Sequence, residues 1–154
     1  MVQSSWDPDE VEVKGKGVVR GKRRRHSQRA AEFLQPIRSD GEALPLRVRR
    51  CSTFLCRLRG LMFRTHLPED EGLLFLLDSE GRLEAAIHMF FVFFPIGVVW
   101  LRQGFEVVDT VVAQPFRPMY VPRAPAIAFL EGPPALVEWL RAGDHVTFQP
   151  WQGR

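Results

Sequence analysis

Residues 85–101 read AAIHMFFVFFPIGVVWL and contain no Asp, Glu, Lys or Arg. A chain of 154 residues does not leave so long an apolar run in water. The run is either the structural centre of the protein or a piece of membrane. A spanning helix needs about 20 predominantly apolar residues, with roughly 17 as the lower limit, so length alone permits a span. The content argues against one. His88, Pro95 and Gly97 interrupt the run, and blocks of Phe, Val and Ile broken by proline favour strands. Pro95 has no N–H to give to a ladder, which divides the run into expected strands at 86–93 and 96–101. In the first, Ile87, Met89, Phe91 and Phe93 would share one face, and His88, Phe90, Val92 and Phe94 the other. Both faces are apolar, the pattern of a strand buried on both sides. The reading is buried strands and no membrane span, with Phe91 and Phe93 as core residues and His88 buried and hydrogen-bonded.

The formal charge of +3 hides an asymmetry. Residues 1–50 hold 12 Lys+Arg against 7 Asp+Glu, giving +5; residues 51–154 hold 9 against 11, giving −2. The chain reads as a basic arm, residues 1–43, and an apolar body, a single domain over residues 44–154. Low hydrophobicity with clustered like charge is the signature of disorder. A short helix at 27–34, stopped by Pro36, fits the local sequence. Lys22, Arg23, Arg24 and Arg25 offer a phosphate contact to nucleic acid or another anionic surface, or form a solvated tail. No apolar segment of the signal-peptide kind follows the arginines, so the expected compartment is the cytoplasm.

The body alternates from the start: in LPLRVRR, Leu46 and Val48 face one way and Arg47 and Arg49 the other. Ser52 or Thr53 can cap a short helix carrying Phe54, Leu55 and Leu58, which Gly60 would end. A polar loop, THLPEDEG, precedes the buried strand 73–77, and a turn at 79–82 leads into the apolar run. A further strand is expected at 105–113. Four prolines in residues 115–125 make that stretch an extended loop. A short strand at 126–131, a helix at 133–140 opened by proline and a last strand at 145–149 complete the chain. The fold class is mainly β, a β-rich α+β domain. About seven short strands would make a closed or nearly closed, mostly antiparallel sheet with one or two short helices.

The order of several segments resembles the domain of unknown function 192 family. They are RLRGLMFRTHLPEDEGLLFLL (57–77), IHMFFVFFPIGVVWL (87–101), FEVVD (105–109), AFLEGP (128–133) and AGDHVTF (142–148). That family's pattern has a Gly-Leu-Met-Phe-Arg turn, a Gly-Met-Leu-Phe strand, and Trp-Met-Lys-Asn-Thr leading through Pro to Leu-Asp. A Leu-Glu and a Gly-Asp follow near the end. The resemblance runs from Leu44 onward and implies a compact prokaryotic β-rich domain with no established activity. Here Phe90, Phe91 and Val92 stand where Lys-Asn-Thr is usual, Gly97 where Asp is usual and Leu73 where Met is usual.

The chemistry-bearing residues show no specific motif. Cys51 and Cys56, five apart, would diverge on a helix, and no second pair completes a metal site; they read as buried free thiols. His26, His66, His88 and His145 have no metal-ligand spacing. Asp109, Glu131 and Asp144 sit at strand ends or turns, where capping of backbone N–H groups is the simple role. Arg64 and Arg117 flank apolar turns, placed to bind an anion or to pair with Asp109 or Glu131. No cofactor motif is present, so none is expected. Two functional classes remain. One is a non-enzymatic binding or scaffold domain whose surface is built by the 60–72 turn and the 115–125 loop. The other is a small-molecule enzyme using His88 with Arg64, Arg117 and a carboxylate. They part on one observation: whether a solvent-connected pocket holds His88 together with a carboxylate.

Overall fold

The computed structural model describes residues 33–153. Seven strands and two short helices follow in the order β1 (Phe33–Arg38), β2 (Arg47–Cys51), α1 (Phe54–Arg59), β3 (Glu71–Gly81), β4 (Ile96–Leu101), β5 (Val107–Ala113), β6 (Ala126–Gly132), α2 (Leu136–Trp139) and β7 (Val146–Pro150). They form one curled sheet ordered β5-β4-β6-β3-β2-β1-β7. All neighbours are antiparallel except β2 and β3, which run parallel and are joined through α1. The two edges meet at one corner: an isolated bridge links Glu106 to His145, and the Val107 and Val146 amides donate to the carbonyls of Asp144 and Phe105. The nearly closed, mostly antiparallel β-rich domain read from the sequence is the observed fold.

β4 and β6 lie side by side at the centre of the sheet and are buried along their whole length. Their alternate residues feed two cores. One face packs Leu46, Val48, Leu74, Val99, Leu130 and Leu136. The other packs Phe75, Ile87, Met89, Val98, Trp100 and Phe129. The Trp100 indole N–H donates to the Ala85 carbonyl at 2.8 Å, so its one polar atom is satisfied. Gly97 permits the close packing of β4 on the turn before α2. A Cβ there would lie 2.6 Å from the Pro133 carbonyl oxygen and 2.9 Å from the Leu136 Cβ.

The structure corrects four expectations. The first strand lies inside the stretch assigned to the arm, so the sheet begins at Phe33 rather than Leu44. β1 pairs with β7 over five residues and with β2 over two, and the β2 ladder stops just before Pro36, which has no N–H to continue it. A chain cut back to Ala43 would leave β7 without its strand partner and β2 paired with β3 alone. The expected helix at 27–34 is overturned at its described end, where Phe33 and Leu34 are strand, and the rest of it falls outside the described residues, as does the cluster Lys22, Arg23, Arg24 and Arg25.

Second, 86–93 is not a strand. Ile87 makes one isolated bridge to Tyr120, and the chain then turns at Phe90 and Phe91. Only Ile87, Met89 and Val92 point inward, while Phe91 and Phe93 are about half exposed. Third, His88 is exposed rather than buried and hydrogen-bonded, because it falls on the outward side of the Ile87–Met89 alternation. Fourth, Cys51 and Cys56 are joined in a disulfide, with their Cα atoms 5.5 Å apart. They do not share a helix. Cys51 ends β2, the chain bends at Ser52 and Thr53, and Cys56 returns on the first turn of α1, whose Thr53 hydroxyl accepts from the Cys56 amide. A disulfide persists in oxidising surroundings, which sits poorly with the cytoplasmic expectation. Among the described residues, no helix is long and apolar enough to cross a membrane.

Candidate functional site

Three connections converge on one side of the sheet. The first is the turn 60–64 after α1, the second the 86–94 loop, the third the proline-rich 115–120 loop. Backbone hydrogen bonds knit them together. The Phe63 amide donates to the Phe91 carbonyl at 2.9 Å, and Met89 donates to Arg117 and Phe116 to Met89, both at 2.9 Å. Ile87 and Tyr120 exchange a pair of bonds at 2.9 and 3.0 Å. Loops stitched in this way hold a defined surface rather than drifting independently.

Beneath them lies Glu131, one residue from the end of β6, opposite Leu73 of β3 and Val98 of β4. It is 8% exposed, and it is the only buried charged residue among those described. Its carboxyl makes no hydrogen bond or ion pair among the described residues. Burial alone raises its pKa from the usual carboxylate value to about 7, because desolvation disfavours the charged form. Capping, the simple role expected for it, is not what it does. Gly60 lies above it: the helix ends there with φ +42°, which favours glycine, and a Cβ would make ordinary contacts 3.8 Å from the Glu131 Oε2 and 3.6 Å from the Phe75 ring.

Glu131 and Gly60 line a cleft of about 90 Å³ with Arg57, Arg59, His88 and Met89. The lining of the cleft thus includes a buried acid, a solvent-exposed histidine and two arginines of α1. Arg57 also reaches Asp78 at 3.3 Å. The Arg59 guanidinium has no ion pair or hydrogen bond among the described residues, while its carbonyl accepts from the Met62 amide at 2.7 Å. Beside this cleft, outside the disulfide, a broader basin of about 470 Å³ is lined by Arg49, Arg50, Arg59, Arg64 and Thr53.

The structure therefore brings together His88 and Glu131 and separates the other candidates from them. Arg64 belongs to the neighbouring basin. Arg117 lies over the Tyr120 ring, 5.6 Å from its centroid. Asp109 accepts from the amides of Thr110 and Arg123, both at 2.9 Å, and lies 3.7 Å from the Arg123 Nε. It is a loop cap, as is Asp144, which accepts from the Arg141 amide at 2.8 Å. Arg57 and Arg59, in the last turn of α1, were not among the residues singled out from the sequence. A signal was present: residues 54–68 hold three arginines and no carboxylate. Among the described residues, no three His, Cys, Asp or Glu side chains gather as a metal site would require.

Three of the four non-glycine residues with positive φ among those described lie on the three converging loops: Phe63, Phe91 and Phe116, with φ of 62°, 57° and 61°; the fourth, Phe105, is in the turn between β4 and β5. A bulky non-glycine residue held in the left-handed region costs on the order of 1–3 kcal/mol. The three on the loops are exposed.

Comparison with known proteins places this architecture. Residues 36–148 match the family model DUF192, described as Uncharacterized ACR, COG1430. A UPF0127 protein of Thermococcus sibiricus is 38% identical over 114 residues, covering 73% of this chain and 72% of that protein. One from Pyrococcus furiosus is 38% identical over 110 residues, covering 70% and 91%. Among solved structures, a chain from Sinorhizobium meliloti 1021, provisionally named a transcription regulator, superposes with a TM-score of 0.66 at 21% identity. The match covers 76% of this chain and 92% of that one. A protein of unknown function from Novosphingobium aromaticivorans gives 0.61 at 24% identity, covering 74% and 82%. These two likenesses show the fold, and the family match extends over most of the chain. The protein is a member of the DUF192 family.

Proposed function

We propose that this protein is a non-enzymatic binding domain that takes a small carboxylate-bearing molecule into the cleft between the 60–64 turn, the 86–94 loop and β6. The observation that carries this reading is the position of Glu131. A carboxyl that keeps its proton near neutral pH is a hydrogen-bond donor, and a ligand carboxylate is its natural acceptor. Arg57 and Arg59 line the same cleft and supply the positive charge that an anion needs, with the fork geometry that suits a carboxylate. A cavity of about 90 Å³ limits the ligand to a compact one.

Isothermal titration of two- to four-carbon carboxylic acids tests this directly. At least one should bind, more tightly at pH 6 than at pH 8, because Glu131 gives up its proton as the pH rises through about 7. Arg59→Ala should weaken binding about tenfold, the usual worth of one charge-assisted contact. Glu131→Gln, which keeps a donor, should bind with the pH dependence gone, and Glu131→Leu should not bind. If no small carboxylate binds or raises the melting temperature, the reading is wrong.

A second reading has its own support. His88 is open to solvent on the same cleft as a carboxyl that titrates near neutrality, a pairing suited to proton transfer. In that reading the protein is an enzyme acting on the same anion, with His88 as acid or base. Arg64, Arg117 and Asp109 have no part in it. Ligand that is bound but never consumed by the full chain, with binding unchanged in His88→Phe, would leave only the binding domain.

A further inference from the structure

The three stitched loops carry a second feature, on their outer side. Phe63, Phe90, Phe91, Phe93, Phe116 and Met119 are each between 45% and 61% exposed. They sit on loops bonded to one another and fall in part into ring pairs: the Phe63 and Phe91 rings stack at 5.0 Å, and Phe93 meets Phe116 edge-on at 5.5 Å. An apolar cluster of this kind on a water-facing surface marks an interaction site. The segments that carry it hold charges of one sign: residues 54–68, 85–94 and 110–120 together contain four arginines and no Asp or Glu. Arg59, Arg64 and Arg117 flank the phenylalanines in sequence and on the same loops.

We propose that this face docks on an anionic lipid bilayer, the phenylalanines entering the headgroup and upper acyl region while the arginines meet lipid phosphates. Phe and Met gain from leaving water without needing a hydrogen-bond partner, and arginines near an anionic surface add attraction that salt weakens. Two other occupants fit less well. A second copy of this chain, docked through the same face about a two-fold axis, would set arginines against arginines with no carboxylate to answer them. Single-stranded nucleic acid needs open ring faces for its bases, whereas here the rings are packed against one another in pairs. The strained backbone supports a functional surface. Left-handed phenylalanines are costly, and Asn adopts that conformation far more readily, so stability alone does not account for Phe63, Phe91 and Phe116. The cleft over Glu131 opens beside the patch, since Met89 and Val92 line it and Phe90, Phe91 and Phe93 border those residues.

The test is co-sedimentation of the full chain with vesicles of neutral phosphatidylcholine or of phosphatidylcholine with about 30% phosphatidylglycerol. The anionic vesicles should carry the protein down at low salt, at least fivefold more than the neutral ones, with the difference shrinking at 0.5 M salt. The triple variant Phe63→Asn, Phe91→Asn and Phe116→Asn should lose the binding while its melting temperature stays level or rises, which separates surface loss from misfolding. The quadruple variant Lys22→Ala, Arg23→Ala, Arg24→Ala and Arg25→Ala should still bind. Binding lost in the arm variant and kept in the triple variant would overturn the proposal, as would equal pelleting with both vesicle types or none with either. A dimer that the triple variant turns into a monomer, without vesicle binding, would make the face a self-association surface. Retention of an oligonucleotide in place of vesicles would make it a nucleic-acid platform.

Discussion

The apolar run 85–101 folds into two unlike halves. Its second half, β4, lies between β5 and β6 with every residue buried. Its first half leaves the sheet, makes a single bridge and turns back at Phe90 and Phe91, leaving three phenylalanines about half exposed. Composition does not distinguish the halves; the first has the larger side chains. Hydrogen-bonding partners do. β4 has a neighbour on both edges, and its amides and carbonyls are consumed by two ladders. The 86–94 segment is bonded through Ile87 and Met89 to the 115–120 loop, itself broken by Pro115 and Pro118, and through the Phe91 carbonyl to Phe63. Apolar content makes burial favourable, but only a paired backbone can be buried.

Substitutions on either side of Pro95 should therefore differ sharply. Trp100→Ala, in β4, removes a fully buried ring and strands the Ala85 carbonyl, and should destabilise by about 3–5 kcal/mol in urea titration. A cost below about 1 kcal/mol would mean that the second half is not core.

Glu131 sharpens the comparison from within the core, as the charged group that the buried sheet tolerates. Its folded pKa, about 7, lies above the ordinary carboxylate value of 4.5. Between those values the native state holds more protons than the unfolded chain, so stability falls as pH rises. The effect is absent at pH 4 and complete by pH 8, and amounts to about 3 kcal/mol at 1.4 kcal/mol per unit. Glu131→Leu should remove that slope, leaving stability nearly unchanged at pH 4 and raised by up to about 3 kcal/mol at pH 8. Parallel pH profiles for variant and parent would show that Glu131 is not desolvated.

The disulfide ties the edge of the core to the loop side. Closing so short a loop limits the unfolded chain by about 2 kcal/mol in the chain-entropy account. Cys56→Ala should cost that much, and reductant should lower the parent's melting temperature but not the variant's. Smallest of all, Phe93→Ser should change stability by less than about 1 kcal/mol, as surface substitutions do. A loss of 3 kcal/mol or more there would restore Phe93 to the core.

Much of the sheet was legible because its signals are local. Alternation at Leu46 and Val48, Thr53 and Gly60 as helix brackets, and Pro95 as a break all fall where the elements begin or end. β1 was not, since Phe33–Arg38 carries a proline mid-strand and its stability comes from β7, more than 100 residues away. The 86–93 segment misled because its apolar content suits both faces of a strand, and nothing local reveals that only Ile87, Met89 and Val92 find packing. The disulfide depends on the bend at Ser52 and Thr53, which places two cysteines together that a continuous helix would part. The cleft was half legible. His88 and Glu131 both stood out as polar groups in apolar settings, but their shared cleft, and Arg59 and Gly60 beside them, depend on the three loops meeting in space.

Hydrogen–deuterium exchange of the native protein, read residue by residue across 86–101, tests the two-halves account most directly. The amides of β4 should exchange as slowly as those of β6, while those of Phe90, Phe91, Phe93 and Phe94, which have no backbone acceptor among the described residues, should exchange within the shortest labelling time. Uniform slow exchange from Ala86 to Leu101 would mean a continuous buried strand pair, and would contradict the account.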